Sequence, residues 1–434
     1  MITLYRMTRD GASQHLVGSD RITAVEPATS FPRPAGAMCS DIERLKGSLL
    51  RYFGALLCVV CGLASLPILA ASDLPVPPTT RQVLRVREPD GTYGRQLVSV
   101  PVPQIGDHDV LLHVRAVAIQ RGDAEKMTLP ADWPSPDRNG QIMGSDAAGD
   151  VVRVGKLVRS VRPGTRVLTS AFASYLNHPL KADALDDALG FSVNGVFGDY
   201  VALKETAVVP MPRYLSYEEA ATLPSSALTA WSALGIDHKL LRPGDIVLVE
   251  GTGAISTFAL QFAVAAGARV IVISSSDEKL QKARSLGAEA GINYKKEPNW
   301  SAAVLSQTNG HGADFVVDIG GRSTLEQSMS SLAYEGNLAI VGGLGGYDGT
   351  ISAWSLMNKA GTLRGVFGGS RSDVVRMCEF MERHQIHPVI GRTYPLEELE
   401  RALNDAVSGD HVGKLVVVLD AETPLRRKHD SGEP

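Results

Sequence analysis

Apolar residues follow three rhythms along this chain, and the switches between them mark its organisation. From about Arg81 they come in short runs divided by turn residues: VLLHVRAVAI at 110–119, AAGDVVRVG at 147–155, then the Pro163-Gly164 turn and RVLT. Short alternating or continuous apolar runs bounded by Gly and Pro predict strands, so residues 80–214 read as a β-rich domain. From about Leu215 the period lengthens. YEEAATLPSSALTAWSAL reads as a helix, DIVLVEG as a strand, TFALQFAVAAGA as a helix, ARVIVISSS as a strand, DEKLQKARSLG as a helix, and ADFVVDIGG and NLAIVGG as strands. Strands alternating with helices of about 12 residues predict an α/β, doubly wound parallel sheet over residues 215–370. A final portion, 371–420, ends in the strand run KLVVVLD, and 421–434 reads as a disordered tail.

The third rhythm has no period. In RLKGSLLRYFGALLCVVCGLASLPILAAS, Arg44, Lys46 and Arg51 precede an uncharged run that ends in Ala70, Ala71 and Ser72. That is the layout of a secretory signal and points to export, as into a periplasm. The apolar part also approaches the roughly 20 residues that span a bilayer, so membrane attachment through 44–72 is a second reading, and a buried helix of the folded domain a third. DLPVPPT, at 73–79, reads as a proline-rich linker closing a segment that starts near Met38. Residues 1–37 have neither period nor apolar face and read as disordered or as an over-extended start. If the signal-like run is not used, the chain stays in the cytoplasm.

A chain of 434 residues, 44% apolar and 21% charged, buries a core without covalent staples. Its formal charge of −4 supplies no broad basic field, which sets nucleic acid aside as a partner. Cys39, Cys58 and Cys61 all precede the predicted folded part, leaving only Cys378 inside it. Cys58 and Cys61 form a C-x-x-C within the apolar run, without the strand and helix context of a redox domain. Neither a disulfide framework nor a cysteine zinc cluster is then available to the mature chain.

Residues 246–256, IVLVEGTGAIS, present a strand, a turn of small residues and the start of a helix. A dinucleotide pyrophosphate needs that order, because the first helical amides must point at it across a turn with little side chain. Gly251 and Gly253 occupy the first two small positions of the fingerprint and Ser256 the third. Alone the motif is equally a tight strand-to-helix turn; the second strand and helix that follow, and the glycines at later strand ends (Gly320 and Gly321, Gly342 and Gly343), favour the coenzyme. The second strand ends in Ser274, Ser275 and Ser276 instead of an acidic residue. Hydroxyls there with Lys279 suit a 2′-phosphate and so NADP; Asp277 curling back to the ribose would suit NAD instead.

Together, AVAIQRGD, IMGSDAAGDVVRVG, VRPGTRV, FGDYVAL, AATLPSSALTAWSAL, the glycine-turn segment, INY and HVGKLVV make residues 80–420 resemble the medium-chain dehydrogenase/reductase superfamily. The likeness is to its zinc-independent, quinone-oxidoreductase-like and alcohol-dehydrogenase-like branch. It implies a GroES-like β domain over 80–214 completed by 371–420, a Rossmann domain over 215–370, a cleft at their junction and a homodimer. Zinc-dependent members carry cysteine where this chain has Gln120, and Gly-His-Glu where it has Gly144, Ser145 and Asp146; the cysteine-rich lobe of some members has no counterpart in 169–197. Zinc prefers nitrogen and sulfur in tetrahedral array, so both metal sites read as absent.

Without a metal to activate an alcohol, substrates that accept hydride readily are favoured, namely quinones and α,β-unsaturated carbonyls. Alcohol oxidation and a non-catalytic NADPH-binding sensor or scaffold are the alternatives. The resemblance implies that Gly251, Gly253, Ala254 and Ile255 lie at the pyrophosphate, Ser275 and Lys279 at the 2′-phosphate, and Tyr294 beside the adenosine. Gly320, Gly342 and Lys414 also fall on the coenzyme, and Thr229 near the nicotinamide ribose. Gln120 would bond a substrate carbonyl or the nicotinamide, and Asp123 would donate a proton or hold the loop. Tyr175 is a further candidate acid or a plain surface residue. Tyr294 is equally a core aromatic, and Thr229 a helix residue bonding its own backbone. His311, His384 and His387 show no ligand spacing and read as surface residues.

Overall fold

The computed structural model describes residues 75–90, 92–124, 138–238 and 240–419. The signal-like run, the first 37 residues, Cys39, Cys58, Cys61 and the tail 421–434 lie outside them. Among the described residues no helix is long and apolar enough to cross a membrane.

Two sheets carry the fold. The first holds β14 (Ile390–Pro395), β15 (Lys414–Val418), β3 (Asp109–Ala118), β4 (Ala147–Val154), β5 (Arg166–Thr169) and β7 (Val208–Pro210) in that order, with β6 (Tyr200–Lys204) also pairing β3. β15 runs antiparallel to β3, with Val417 opposite Val117, so the last strands of the chain complete the sheet begun 300 residues earlier. Alternate residues of β3, β4 and β15 point inward and bury Leu112, Val114, Val117, Val151 and Val417 around Phe197. Beside this sheet, β1 (Thr79–Arg87) and β2 (Tyr93–Pro101) pair as an antiparallel hairpin, and β1 starts on the last residue of the predicted linker.

The second sheet is wholly parallel, in the order β10 (Ala290–Asn293), β9 (Arg269–Ser274), β8 (Ile246–Glu250), β11 (Ala313–Asp318), β12 (Leu332–Ile340) and β13 (Thr362–Gly365). Every residue of β8 is buried, as a central strand covered on both faces requires. The helix Ala254–Ala265 packs Phe258 and Phe262 into this layer, and Trp231 meets Phe262 and Phe380 edge-on at 5.9 and 5.2 Å. Each of these buried aromatics contributes roughly 1.5–3 kcal/mol.

One predicted element breaks. The run 217–234 is two helices, Tyr217–Ala221 and Leu228–Leu234, joined by the wider π turn Leu223–Ala227. Pro224 has no N–H to give the preceding turn, and the backbone widens there to keep its remaining bonds. That turn presents Ser225 and Ser226 to the first sheet.

Candidate active site

At the coenzyme end, β8 delivers Gly251 in the left-handed region (φ +74), where its amide donates to the Ile273 carbonyl at 2.7 Å. A Cβ there would meet Ile319 at 2.9 Å, so the turn needs glycine. Gly253 precedes the helix Ala254–Ala265, and a Cβ on it would meet nothing within 4 Å. That open space over the first helical amides fits a pyrophosphate. Ser256 occupies the third small position because its hydroxyl folds back onto the Glu250 carbonyl at 2.6 Å. On the far side, the Gly413 amide donates to the Thr252 carbonyl at 3.0 Å, placing the HVGK segment against the turn.

Beneath the turn lie two buried acids. Ser328 Oγ is 2.6 Å from Glu250 Oε1 and 2.7 Å from Asp318 Oδ2. Burial, reinforced by Asp318, pushes the Glu250 carboxyl up to about 8. Glu250 Oε2 also accepts the amides of Ile319 at 3.2 Å and Gly320 at 3.4 Å, which shape the loop after β11.

At the end of β9, Ser276 caps the helix Asp277–Ser285 by accepting the Lys279 amide. Lys279 Nζ donates to the Gly409 carbonyl at 3.0 Å and lies 3.8 Å from Asp410, keeping two N–H groups beyond the first bond. Ser275 is half-buried. Tyr294 is 41% exposed, which removes its reading as a core aromatic. The Asp277 carboxylate takes Asn293 Nδ2 at 2.7 Å and the Lys296 ammonium at 2.5 Å.

Where the π turn meets the first sheet, Asp146 is fully buried and gathers the polar groups. It accepts the side-chain amide of Gln120 on Oδ2, and Ser145 Oγ at 2.8 Å and Ser225 Oγ at 2.5 Å on Oδ1. Lys414, 4% exposed, donates to Ser226 Oγ at 3.0 Å. Burial lowers the Lys414 ammonium, while Asp146 and Asp123 oppose that. Burial raises Asp146, with Lys414 pulling against it. Asp123 Oδ2 accepts the Gln120 amide at 2.9 Å and the Asp123 amide returns to the Gln120 carbonyl at 3.0 Å, a closed turn that holds the loop. Its other oxygen lies 3.9 Å from Arg85. Thr229 is buried in the helix Leu228–Leu234.

Tyr175 is not the plain surface residue of one of its readings: it is 5% exposed, packed with Phe172, and its hydroxyl meets His178 Nδ1 at 3.0 Å. His178 Nε2 in turn reaches Asp373 at 2.9 Å. His311 and His387 are exposed and pair with Asp314 and Glu219. Sequence reasoning missed Ser225, Ser226 and the gathering role of Asp146. Their only signal was the pair of serines after Pro224.

Among the described residues no group of three His, Cys, Asp or Glu side chains is arranged for a metal. The donors around Asp146 are a carboxylate, an amide and two hydroxyls, and both carboxylate oxygens already accept hydrogen bonds. This set does not fit zinc.

Residues 106–213 match the alcohol dehydrogenase GroES-like domain family, and residues 254–383 the zinc-binding dehydrogenase family. A zinc-type alcohol dehydrogenase-like protein of Schizosaccharomyces pombe is 39% identical over 325 residues, covering 74% of this chain and 93% of that one. The chain belongs to the medium-chain dehydrogenase/reductase superfamily. Like other members of that superfamily, it is an NAD(P)H-dependent oxidoreductase with a GroES-like domain and a Rossmann domain. A solved NAD-dependent alcohol dehydrogenase of the superfamily is 31% identical, with a TM-score of 0.69 over 79% of this chain and all of its own. The crotonyl-CoA reductase of Streptomyces collinus is 26% identical over 77% of this chain and 84% of that one.

Proposed function

We propose that the protein is a zinc-independent, NADPH-dependent reductase that delivers hydride to a quinone or an α,β-unsaturated carbonyl. The observation that carries this reading is the cluster around Asp146: the position where zinc-dependent relatives hold a metal is filled by hydrogen-bonded Gln120, Ser145 and Ser225. NADPH, when bound, supplies the hydride. The open turn at Gly251 and Gly253, with the amides of Ala254 and Ile255, holds the pyrophosphate. Lys279 and Ser275 hold the 2′-phosphate, Tyr294 covers the adenosine, and Gly320, Gly342, Thr229 and Lys414 surround the rest of the coenzyme. Gln120 hydrogen-bonds the substrate carbonyl, and Asp123 keeps the Gln120 loop in place. A substrate of this class already draws electrons from its own C=C or ring, so a neutral hydrogen bond suffices where a simple alcohol would need a metal. The name of crotonyl-CoA reductase states reduction of an α,β-unsaturated thioester, chemistry of the same class.

The second reading, alcohol oxidation, is favoured by the alcohol dehydrogenase relatives. Coenzyme oxidation with enones, quinones and a panel of alcohols and aldehydes, alongside elemental analysis, separates the two. Turnover of enones or quinones by zinc-free protein is the expected result. Stoichiometric zinc, or turnover of alcohols alone, overturns the reading, and tight NADPH binding without any turnover favours a sensor. Gly253→Val should weaken NADPH binding by about 100-fold through loss of phosphate approach, with little change in thermal midpoint. Self-association fits the edge strand β13 and the exposed Tyr347, Trp354 and Met357, 91%, 72% and 71% accessible; sedimentation tests for the homodimer.

A further inference from the structure

A primary amide is nearly symmetric in shape, so packing cannot choose which end faces a ligand; only a hydrogen-bond partner can. In the cleft that partner is fully specified. Gln120 is half-buried, whereas Asp146 behind it has no exposure, so of the two only Gln120 reaches the surface. The Gln120 main chain is held by Asp123 through two bonds, and the Asp146 main chain accepts the Ala118 amide at 2.9 Å. The Asp146 carboxyl is itself held by Ser145 and Ser225, with the Lys414 ammonium as the nearby counter-charge. Gln120 Nε2 has no acceptor capacity and meets Asp146 Oδ2 as a donor.

We propose that Asp146 is a positioning residue: by accepting one N–H of Gln120 it fixes the orientation of the amide and leaves the second N–H and the carbonyl oxygen for the substrate. This rests on the reading of the cleft as the substrate site. An amide held in this way suits one chemical class in both of its redox forms. An enone or quinone oxygen accepts the free N–H; after hydride adds to the conjugated carbon, that oxygen takes a proton from water, and the enol or hydroquinone hydroxyl so formed donates to Oε1. A bare carboxylate or hydroxyl at position 120 offers less: the first only accepts, and the second has a single proton.

The test exchanges the two polar ends. The double variant Gln120→Glu, Asp146→Asn keeps one amide-to-carboxylate bond between the side chains but leaves no N–H for the substrate. Expected are a thermal midpoint near that of the wild type, NADPH affinity within about twofold, and kcat/KM for the carbonyl substrate lower by about 100-fold. Wild-type kcat/KM in the exchanged pair overturns the proposal. If the wild-type protein reduces no carbonyl at all, the proposed reaction fails on its own, and this inference is still decided by the labelled Gln120 side-chain amide in the NMR spectrum. One of its protons should be protected from solvent exchange in the wild type and lose that protection in Asp146→Ser; equal exchange in both overturns it.

Discussion

Among the described residues two pairs of acids are buried, one in each domain, and their neighbours differ in kind. In the Rossmann domain, Glu250 and Asp318 flank one hydroxyl, Ser328, at 2.6 and 2.7 Å. A hydroxyl has one proton and can donate to only one of them, so the other contact is made by a carboxyl that keeps its own. In the catalytic domain, Asp123 and Asp146 face Arg85 and Lys414, and every polar side chain around Asp146 comes with a donor. A proton neutralises without leaving anything over. A buried ammonium with a single hydrogen bond leaves donors and charge in reserve, which is an arrangement suited to a site and costly for a scaffold.

The largest effect should come from removing that reserve. Lys414→Met leaves Asp123 and Asp146 without their shared counter-charge and should cost about 3–5 kcal/mol, read from urea unfolding. A loss below 1 kcal/mol would mean that the catalytic pair is also neutralised by protons, and the contrast would disappear. Ser328→Ala removes the hydroxyl between the other pair and should cost about 1–3 kcal/mol, without altering the affinity of the cleft for a carbonyl ligand. Glu250→Gln gives the smallest effect at pH 5 and the sharpest test across pH, since an amide resembles a protonated carboxyl. The folded value of Glu250 is raised from 4.5 to about 8, so the native state holds a proton that the unfolded chain releases. Its contribution to stability is complete below about 4.5 and is lost as the pH rises toward 8. The variant should lie within about 1 kcal/mol of wild type at pH 5 and gain on it steadily with rising pH. Parallel pH profiles for the two proteins would show that Glu250 titrates normally.

The same contrast explains what the sequence made legible. The glycine turn and the strands that flank it are local patterns, complete within about 30 residues, and they stand in the fold where the pattern put them. The cluster around Asp146 is assembled across the chain: Ser225 and Asp146 are 79 positions apart, and Lys414 and Ser226 are 188 apart. No periodicity encodes such a meeting. The break at Pro224 illustrates the limit, because the apolar pattern predicts one continuous helix and is indifferent to a widened turn that re-aims two serines. The surface reading of Tyr175 fails for the same reason, since its hydroxyl is held by His178 and, through it, by Asp373, 195 positions from that histidine.

The main-chain bond from Gly413 to Thr252, with the bridge between Gly253 and Gly413, ties the closing strand of one domain to the phosphate turn of the other. The two halves are therefore not interchangeable modules. A graft of the Rossmann half onto another scaffold, or a circular permutation that opened the chain near residue 410, would have to carry this stitch along, or the glycine turn would lack one wall.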